Sequence, residues 1–173
     1  MKMRLLVVFA VLVFMSCTSV PVPTPEQNTL LVGKLLVNWD LTGQMSGGNG
    51  KIKFGIGMYF QNDQTGKITS VFTQKDGWFL TSKLTGGDYT IQKFYIEREQ
   101  GNTIYKMTLE GPFYITFEDG VVNNMGTIQI DVSNDHYTFK LVDYDVIKYD
   151  FQDEFSDSEW NSYEWKDSSL VGR

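Results

Sequence analysis

The chain has 173 residues, of which 42% are hydrophobic, 14% aromatic and 21% charged, with 16 glycines, 4 prolines and one cysteine. This composition excludes a collagen, a disulfide-rich scaffold and a disordered tail, and it suffices for one compact domain. The net charge is −6, and an acidic surface repels phosphate backbones, so we expect no nucleic-acid partner.

The first sixteen residues have the layout of a secretory signal peptide. Lys2 and Arg4 precede an uninterrupted apolar run from Leu5 to Met15, and the small residue Ser16 follows it. A helix over that run would rise about 16 Å, which is about half the hydrocarbon thickness of a bilayer and too short for a permanent span. We therefore predict an N-terminal signal helix at residues 1–16 that is removed on export. The mature chain then has 13 basic and 21 acidic residues, a net charge of −8.

The single cysteine, Cys17, lies directly after this segment. The run Phe14-Met15-Ser16-Cys17 resembles the lipobox of bacterial lipoproteins. That resemblance implies cleavage before Cys17, attachment of diacylglycerol to its sulfur and acylation of the new amino terminus. The alternative is an ordinary signal peptide followed by an incidental thiol. An unpaired cysteine is unusual in an exported protein, which favours lipidation, and two or three acyl chains anchor a protein stably where one chain does not.

Residues 17–29 are predicted to be a lipid-anchored stalk. Pro21, Pro23 and Pro25 favour extended polyproline geometry, and a dozen residues at about 3.1 Å each reach up to about 35 Å. A disordered amino terminus would have nearly the same composition, so the stalk depends on the anchor. By analogy with lipoproteins, Thr18 after the cysteine favours the outer membrane. We expect an exported protein that is lipid-anchored there, on the periplasmic or surface face.

The body of the chain has the pattern of β-strands, with a hydrophobic period near two and glycine-rich breaks. We predict an all-β domain over residues 30–150, a single antiparallel β-sandwich of about 7–9 strands. The predicted strands cover Leu31–Trp39, Lys51–Gln61, Lys67–Thr73, Gly77–Ser82, Asp88–Glu97, Thr103–Leu109, Phe113–Phe117, Met125–Val132 and His136–Lys148.

The second predicted strand alternates most regularly. The face predicted to be buried contains Ile52, Phe54, Ile56, Met58 and Phe60, and the other face contains Lys51, Lys53, Gly55, Gly57 and Tyr59. In the first strand, we expect Val32, Val37 and Trp39 to lie in the core.

Residues 151–173 are predicted to be an acidic and aromatic C-terminal extension. Its run Ser156-Asp157-Ser158-Glu159 has the composition of a helix cap. The run predicts a short C-terminal helix that carries Trp160, Tyr163 and Trp165. The alternative is an ordered coil that packs one aromatic side chain against the sandwich.

Two stretches, Thr73–Leu80 and Leu84–Ile91, resemble the carboxypeptidase regulatory-like, or prealbumin-like, β-sandwich modules found in bacterial envelope lipoproteins. The shared pattern is a threonine, an Asp-Gly turn, an aromatic strand, and then leucine, glycine and tyrosine. Positive φ is expected at Gly77, and Phe79 and Leu84 are expected to point into the core. The resemblance implies a structural or binding module rather than a catalyst, and it transfers no functional site.

Chemical groups that would indicate an enzyme are sparse in the sequence. The one histidine, His136, follows Asp135 in a predicted turn, where a surface role is more common than a catalytic or metal-binding one. We predict no catalytic residue, no metal site and no cofactor. The acidic stretch lacks the Asp-x-Asp-x-Asp-Gly pattern of a calcium loop, so we interpret it as a solvated face; it contains Asp143, Asp145, Asp150, Asp153, Glu154, Asp157 and Glu159.

Trp78 is the candidate partner-binding residue. It precedes Phe79 in a predicted strand, so the two side chains face opposite sides of a sheet. If Phe79 lies in the core, Trp78 lies either under a neighbouring loop or exposed to a partner.

We therefore expect a non-catalytic lipoprotein of the bacterial cell envelope, a binding or structural module held to membrane lipid by acylated Cys17, with an envelope protein or a glycan as a further partner. One alternative is an accessory subunit of an envelope complex, and a less favoured one is a glycan hydrolase with two carboxylates. A glycan binder needs exposed aromatic rings beside polar groups, an accessory subunit needs an apolar patch or an open sheet edge, and a hydrolase needs a cleft with facing carboxylates.

Overall fold

The computed structural model describes residues 20–40, 53–74, 77–100, 103–133 and 136–172. Within these ranges the chain forms ten strands, one α-helix and one 3-10 helix. They are β1 Leu30–Asp40, β2 Lys53–Asn62, β3 Ile68–Phe72, β4 Trp78–Thr81, β5 Gly87–Gln100, β6 Thr103–Phe117, β7 Val122–Ser133, β8 His136–Val142, α1 Tyr144–Glu154, the 3-10 helix Glu159–Ser162, β9 Trp165–Asp167 and β10 Val171–Gly172.

The strands form two sheets, which confirms the predicted all-β sandwich. Sheet 1 has the order β4-β1-β7-β8, with β9 paired to the start of β7, and sheet 2 has the order β10-β6-β5-β2-β3. Sheet 1 is mixed rather than antiparallel, because β1 and β9 both run parallel to β7. The chain between β1 and β7 passes through sheet 2, so no hairpin turn forces these two strands to be antiparallel.

One correction concerns β6. The two strands predicted at Thr103–Leu109 and Phe113–Phe117 are a single strand. Gly111 and Pro112 between them indicated a break, but the pairing of β6 with β5 continues across them with a shift of register between Ile91 and Lys93. The shift of register therefore accommodates the glycine and the proline without ending the strand.

A second correction concerns the region after β8. The strand predicted at His136–Lys148 ends at Val142, and α1 follows. Asp143 has φ of 58°, which turns the chain out of the sheet direction. The buried residues of α1, Ile147 and Phe151, are four positions apart and so lie on one face of a helix.

The core between the sheets contains most of the described side chains predicted for it, but Val32 lies in a second cluster on the outer side of sheet 1 and Val37 is only partly buried. Ile56, Met58 and Phe60 of β2 are buried between the sheets, as are Phe79 and Leu84. The side chains of Trp39, Ile52 and Phe54, also expected in the core, lie outside the described residues. Gly77 has φ of +84°, the positive value expected for the turn before β4.

A second apolar cluster lies on the outer side of sheet 1, under α1 and the 3-10 helix. Its buried members are Leu30, Val32, Trp78, Leu80, Val122, Ile147, Phe151 and Trp160. The predicted boundary at residue 150 falls inside α1, and the C-terminal extension supplies β9, β10 and Trp160 to the domain. The short C-terminal helix was predicted to carry Trp160, Tyr163 and Trp165, but the 3-10 helix contains Trp160 alone, because Tyr163 is its C-cap and Trp165 lies in β9.

The predicted stalk is wrong as an extended spacer from residue 20 onward. Val20 packs on the second cluster, and the indole N–H of Trp160 donates a hydrogen bond to the Pro21 carbonyl. Farther along, the Ser82 hydroxyl donates to the Gln27 side chain at 3.2 Å. These contacts hold residues 20–29 against the domain, because a segment with buried partners no longer extends freely. The predicted signal helix, Cys17 and Thr18 lie outside the described residues.

The two sheets thus have outer faces of different kinds. We call the outer face of sheet 1, with α1, the 3-10 helix and residues 20–23 packed on it, the covered face. We call the outer face of sheet 2 the open face. In the described ranges, no helix is long and apolar enough to cross a membrane.

Candidate functional site

Trp78 belongs to the covered face, and the expectation that it is exposed to a partner is wrong. Its side chain is fully buried and lies edge-on to Phe151 and Phe155, with ring centroids 6.2 and 5.7 Å away. Its indole N–H donates a hydrogen bond of 2.7 Å to Glu154. The sequence correctly places Trp78 opposite Phe79, but the element above it is a helix rather than a loop.

An ion pair completes the cover over Trp78. The Lys34 ammonium lies 4.3 Å from the centre of a Trp78 ring and forms an ion pair with Asp150 of α1. Asp150 and Glu154, two members of the acidic stretch, therefore hold α1 to sheet 1 through Lys34 and Trp78. A cation over an indole ring adds attraction to this packing. The covered face is a structural assembly and not a free surface.

The open face carries aromatic and polar side chains that point away from the core. They alternate along each strand with the buried residues, so that Tyr59 lies between buried Met58 and Phe60, and Tyr95 between buried Phe94 and Ile96. The outward side chains central to this surface are Tyr59, Gln61, Ile68, Ser70, Phe72, Gln92, Lys93, Tyr95, Glu97, Lys106 and Thr108.

Phe72 projects from the edge strand β3, and a glycine lets its ring lie over the neighbouring strand β2. In the strand register, Gly57 of β2 is directly opposite Phe72 on one side and Tyr95 on the other. A Cβ at Gly57 would lie 2.8 Å from a Phe72 ring carbon, so the ring occupies the space that a side chain would need. Phe72 is nevertheless 56% exposed. The glycine therefore lets an aromatic ring lie over the sheet with much of its surface in solvent.

Tyr59 extends the aromatic surface beside Phe72. The two ring centroids are 6.5 Å apart with an interplanar angle of 78°, an edge-to-face contact. The Lys93 ammonium lies 4.9 Å from the centre of the Tyr59 ring. Together the three side chains form a patch in which apolar ring surface borders a positive charge.

A polar group lies at the other side of the patch. The Tyr95 hydroxyl donates a hydrogen bond of 3.0 Å to Glu97, and the Lys106 ammonium is 3.6 Å from the same carboxylate oxygen. Lys106 is directly opposite Glu97 in the register of β5 and β6. The Tyr95 hydroxyl, and then the Glu97 carboxylate, raise the pKa of Lys106 above its ordinary value. These groups offer both donors and acceptors next to the rings.

The other predicted features fall elsewhere. Cys17 and the side chain of His136 lie outside the described residues. Most of the acidic stretch is exposed, with Asp150 half-buried in its ion pair. Across the described ranges, no three side chains of the His, Cys, Asp and Glu types are grouped so that they would hold a metal ion.

Sequence reasoning missed the open face as a site. The alternation along β2 predicts that Tyr59 points away from the core, and this is the only sign of the site in neighbouring residues. Phe72 and Tyr95 lie in other strands, and their approach to Gly57 depends on which strands pair and in which register. An outward aromatic residue next to an outward glycine on the neighbouring strand is the pattern to look for.

Comparisons with known proteins add little to this geometry. No protein-family model matches the chain, and no curated protein matches it. Among solved structures, a leucine-rich repeat protein from Bacteroides thetaiotaomicron is similar with a TM-score of 0.32 and 14% sequence identity. The match covers 60% of this chain, which spans only 14% of the length of that protein's chain. At this TM-score the similarity carries no information about fold or function.

Proposed function

We propose that this protein is a non-catalytic lipoprotein of the bacterial cell envelope that binds polysaccharide through its open face. The membrane part of the proposal is supported by the order of Lys2 and Arg4, the apolar run Leu5–Met15 and the single Cys17. Thr18 favours the outer membrane by analogy with lipoproteins. The prealbumin-like character belongs to the same proposal, and the burial of Phe79 and Leu84 is compatible with it.

The anchor is tested by substitution of its sulfur. The wild-type protein is expected to incorporate labelled fatty acid, partition into detergent and co-fractionate with outer membranes, because acyl chains on Cys17 bury their methylenes in lipid. Cys17→Ser is expected to lose the label and the partitioning. An unchanged mass and unchanged detergent partitioning in Cys17→Ser would contradict lipidation.

The binding part of the proposal depends on one observation, the exposed Phe72 ring over Gly57 on the open face. Pyranose rings present apolar C–H surfaces edged by hydroxyl groups. Aromatic rings bury such C–H surfaces, and adjacent donors and acceptors pair with the hydroxyl groups. Phe72 and Tyr59 supply rings, and Lys93 and Glu97 supply a donor and an acceptor at the edges.

Two matched variants test the open face. Full-length protein solubilised from membranes is mixed with purified, insoluble cell-wall polysaccharide, and the sedimented fraction is measured. Phe72→Ala is expected to reduce binding about tenfold, since loss of one stacked ring costs about 1.4 kcal/mol. Tyr149→Ala removes a side chain that is 71% exposed on α1, and binding is expected to remain unchanged. Equal effects of the two substitutions, or no sedimentation of wild type, would contradict the proposal.

A second function, an accessory subunit of an envelope complex, is favoured by one feature of the same sheet. β3 is an edge strand of sheet 2, and its Ile68 is 59% exposed. An exposed apolar edge strand is a ready template for pairing with another chain. Ile68→Lys would block such pairing with little effect on Phe72. Loss of a co-purified envelope protein in this variant, with polysaccharide binding absent in wild type, would favour this second function.

A further inference from the structure

We propose that the domain rests directly on the bilayer with its covered face toward the lipid and its open face pointing away from it. This orientation rests on the proposed lipidation of Cys17. It goes beyond that function because it assigns a lipid-facing surface to the folded domain and a direction to the polysaccharide-binding face.

The tether between the proposed lipid anchor and the folded domain is short. Cys17 would be the lipid-modified amino terminus, and Val20 is the first described residue that packs on the domain. Three consecutive Cα–Cα steps separate the two residues, which span at most about 11 Å when fully extended. The packed residue Val20 therefore lies within about 11 Å of the acylated cysteine, compared with up to about 35 Å for the extended stalk that composition alone suggested.

The segment after the tether is fixed on the domain. The Pro21 carbonyl accepts a hydrogen bond from the indole of Trp160, whose side chain is fully buried. A hairpin-like turn follows, in which the Thr24 and Gln27 backbones exchange hydrogen bonds of 3.1 and 3.0 Å. The Thr29 side chain is then buried and accepts a hydrogen bond of 3.0 Å from the Gly120 N–H. Because these consecutive contacts fix the segment on the domain, it does not extend to let the domain move away from its anchor.

The start of this segment lies at the covered face. Residues 20–23 line one side of a surface depression, and residues 154–159 at the end of α1 line the other. Glu154, Asp157 and Glu159 are exposed around it, and Val22 projects beside them with 66% of its surface in solvent. Ionised carboxylates are costly to move into hydrocarbon. This part of the covered face therefore contacts hydrated headgroups and does not insert.

The open face then points away from the lipid. The two sheets of a sandwich are about 10 Å apart, and a packed helix adds about 10 Å more. The open face is on the far side of both layers from α1 and Val20, about 20 Å from the surface that touches the headgroups. Phe72 and Tyr59 are thus presented to the envelope rather than to the lipid.

Fluorescence quenching by labelled lipid tests the orientation. Because acylation consumes the sulfur of the only cysteine in the chain, a cysteine introduced at an exposed position takes a fluorophore at one site. Lipidated Asp157→Cys and Ile68→Cys proteins are reconstituted in phosphatidylcholine vesicles that contain a headgroup nitroxide lipid. Quenching at position 157 is expected to exceed that at position 68 at least about threefold, since the layers between them are about 20 Å thick. Equal quenching overturns the orientation.

A spacer variant is the control. Twenty glycine and serine residues inserted between Ser19 and Val20 reach about 25 Å and leave the packed segment intact. The quenching ratio is expected to fall toward one, and a ratio unchanged by the spacer overturns the role of the short tether. The intact mass of each protein separates the two proposals. An unmodified Cys17 overturns the lipoprotein function together with the orientation, whereas an acylated Cys17 with equal quenching overturns the orientation alone.

Discussion

Each outer face of this sandwich has a lysine ammonium beside an aromatic ring, but the surroundings of the two pairs differ. On the covered face, Lys34 lies 4.3 Å from a ring of Trp78, and on the open face, Lys93 lies 4.9 Å from the ring of Tyr59. In the first case α1 packs over the pair, and Asp150 forms an ion pair with the lysine. In the second case the neighbouring Phe72 remains 56% exposed. On the covered face the cation and the ring are thus part of a packed assembly, whereas on the open face they lie beside a ring that remains largely in solvent.

The largest expected difference between the faces is in the free energy of unfolding. Phe151→Ala removes a fully buried ring of the covered face and is expected to cost about 3–5 kcal/mol, because it leaves a cavity among packed side chains. Phe72→Ala removes a ring of the same type from the open face, where the expected cost is within about 0.5 kcal/mol. Urea unfolding of both variants measures the difference. Similar losses would mean that the open face is also a structural assembly.

A smaller difference in the free energy of unfolding is expected between alanine substitutions at two glycines, Gly33 and Gly57. A Cβ at Gly33 would lie 2.3 Å from the ring of Phe79, which is fully buried and has no room to move. Gly33→Ala is therefore expected to cost about 1–3 kcal/mol from overpacking. A Cβ at Gly57 meets the Phe72 ring, which is free to turn into solvent, so Gly57→Ala is expected to change stability by about 0.5 kcal/mol or less while polysaccharide binding falls. The reverse order in thermal unfolding would contradict the exposure assigned to Phe72.

The attachment of residues 20–23 to the covered face is tested by a pair of indole substitutions. Trp160→Phe removes the hydrogen bond to the Pro21 carbonyl, which is worth about 1 kcal/mol, and should speed amide hydrogen exchange from Val22 to Gln27. Trp78→Phe likewise removes an indole N–H, the one that donates to Glu154, but the exposed Glu154 carboxylate then pairs with water. That variant is the control for the lost ring volume. Unchanged exchange in Trp160→Phe would show that the segment is held by other contacts.

The smallest expected effect is a change in the pKa of Lys106 on the open face. Tyr95→Phe removes the hydroxyl that raises the pKa of Lys106, so this pKa is expected to fall toward its ordinary value of 10.5. A lysine pKa raised by folding stabilises the fold below that ordinary value, and the contribution is lost as the pH rises through the folded-state pKa. NMR titration of the lysine side chains in both proteins measures the change. A Lys106 pKa that does not respond would contradict the Tyr95 contact.

The sequence predicts the interior of this fold better than its surfaces. Alternation along β2 correctly places Met58 and Phe60 in the core, because burial on one face of a strand is recorded in neighbouring residues. The cover over Trp78 was not predictable in the same way. The alternation continues through Tyr144, Val146 and Lys148 and so predicts a longer strand. Only the packing of Ile147 and Phe151 on sheet 1 favours a helix instead.

The candidate site shows the same limit. Tyr59 was identified as pointing away from the core, but its neighbours on the open face come from β3 and β5. Their meeting at Gly57 is a non-local consequence of strand register. The proposed lipidation of Cys17 is the opposite case, since the signal-peptide pattern and the resemblance to a lipobox are carried by consecutive residues.

Hydroxyl-radical footprinting of the detergent-solubilised protein, with and without cell-wall polysaccharide, compares the two faces most directly. It measures the solvent access of individual rings, and Phe72 and Tyr149 are both exposed in the free protein, at 56% and 71%. Polysaccharide is expected to lower oxidation of Phe72 and Tyr59 while oxidation of Tyr149 on α1 stays the same. Protection of Tyr149 equal to that of Phe72, or no protection of Phe72, would contradict a binding role for the open face.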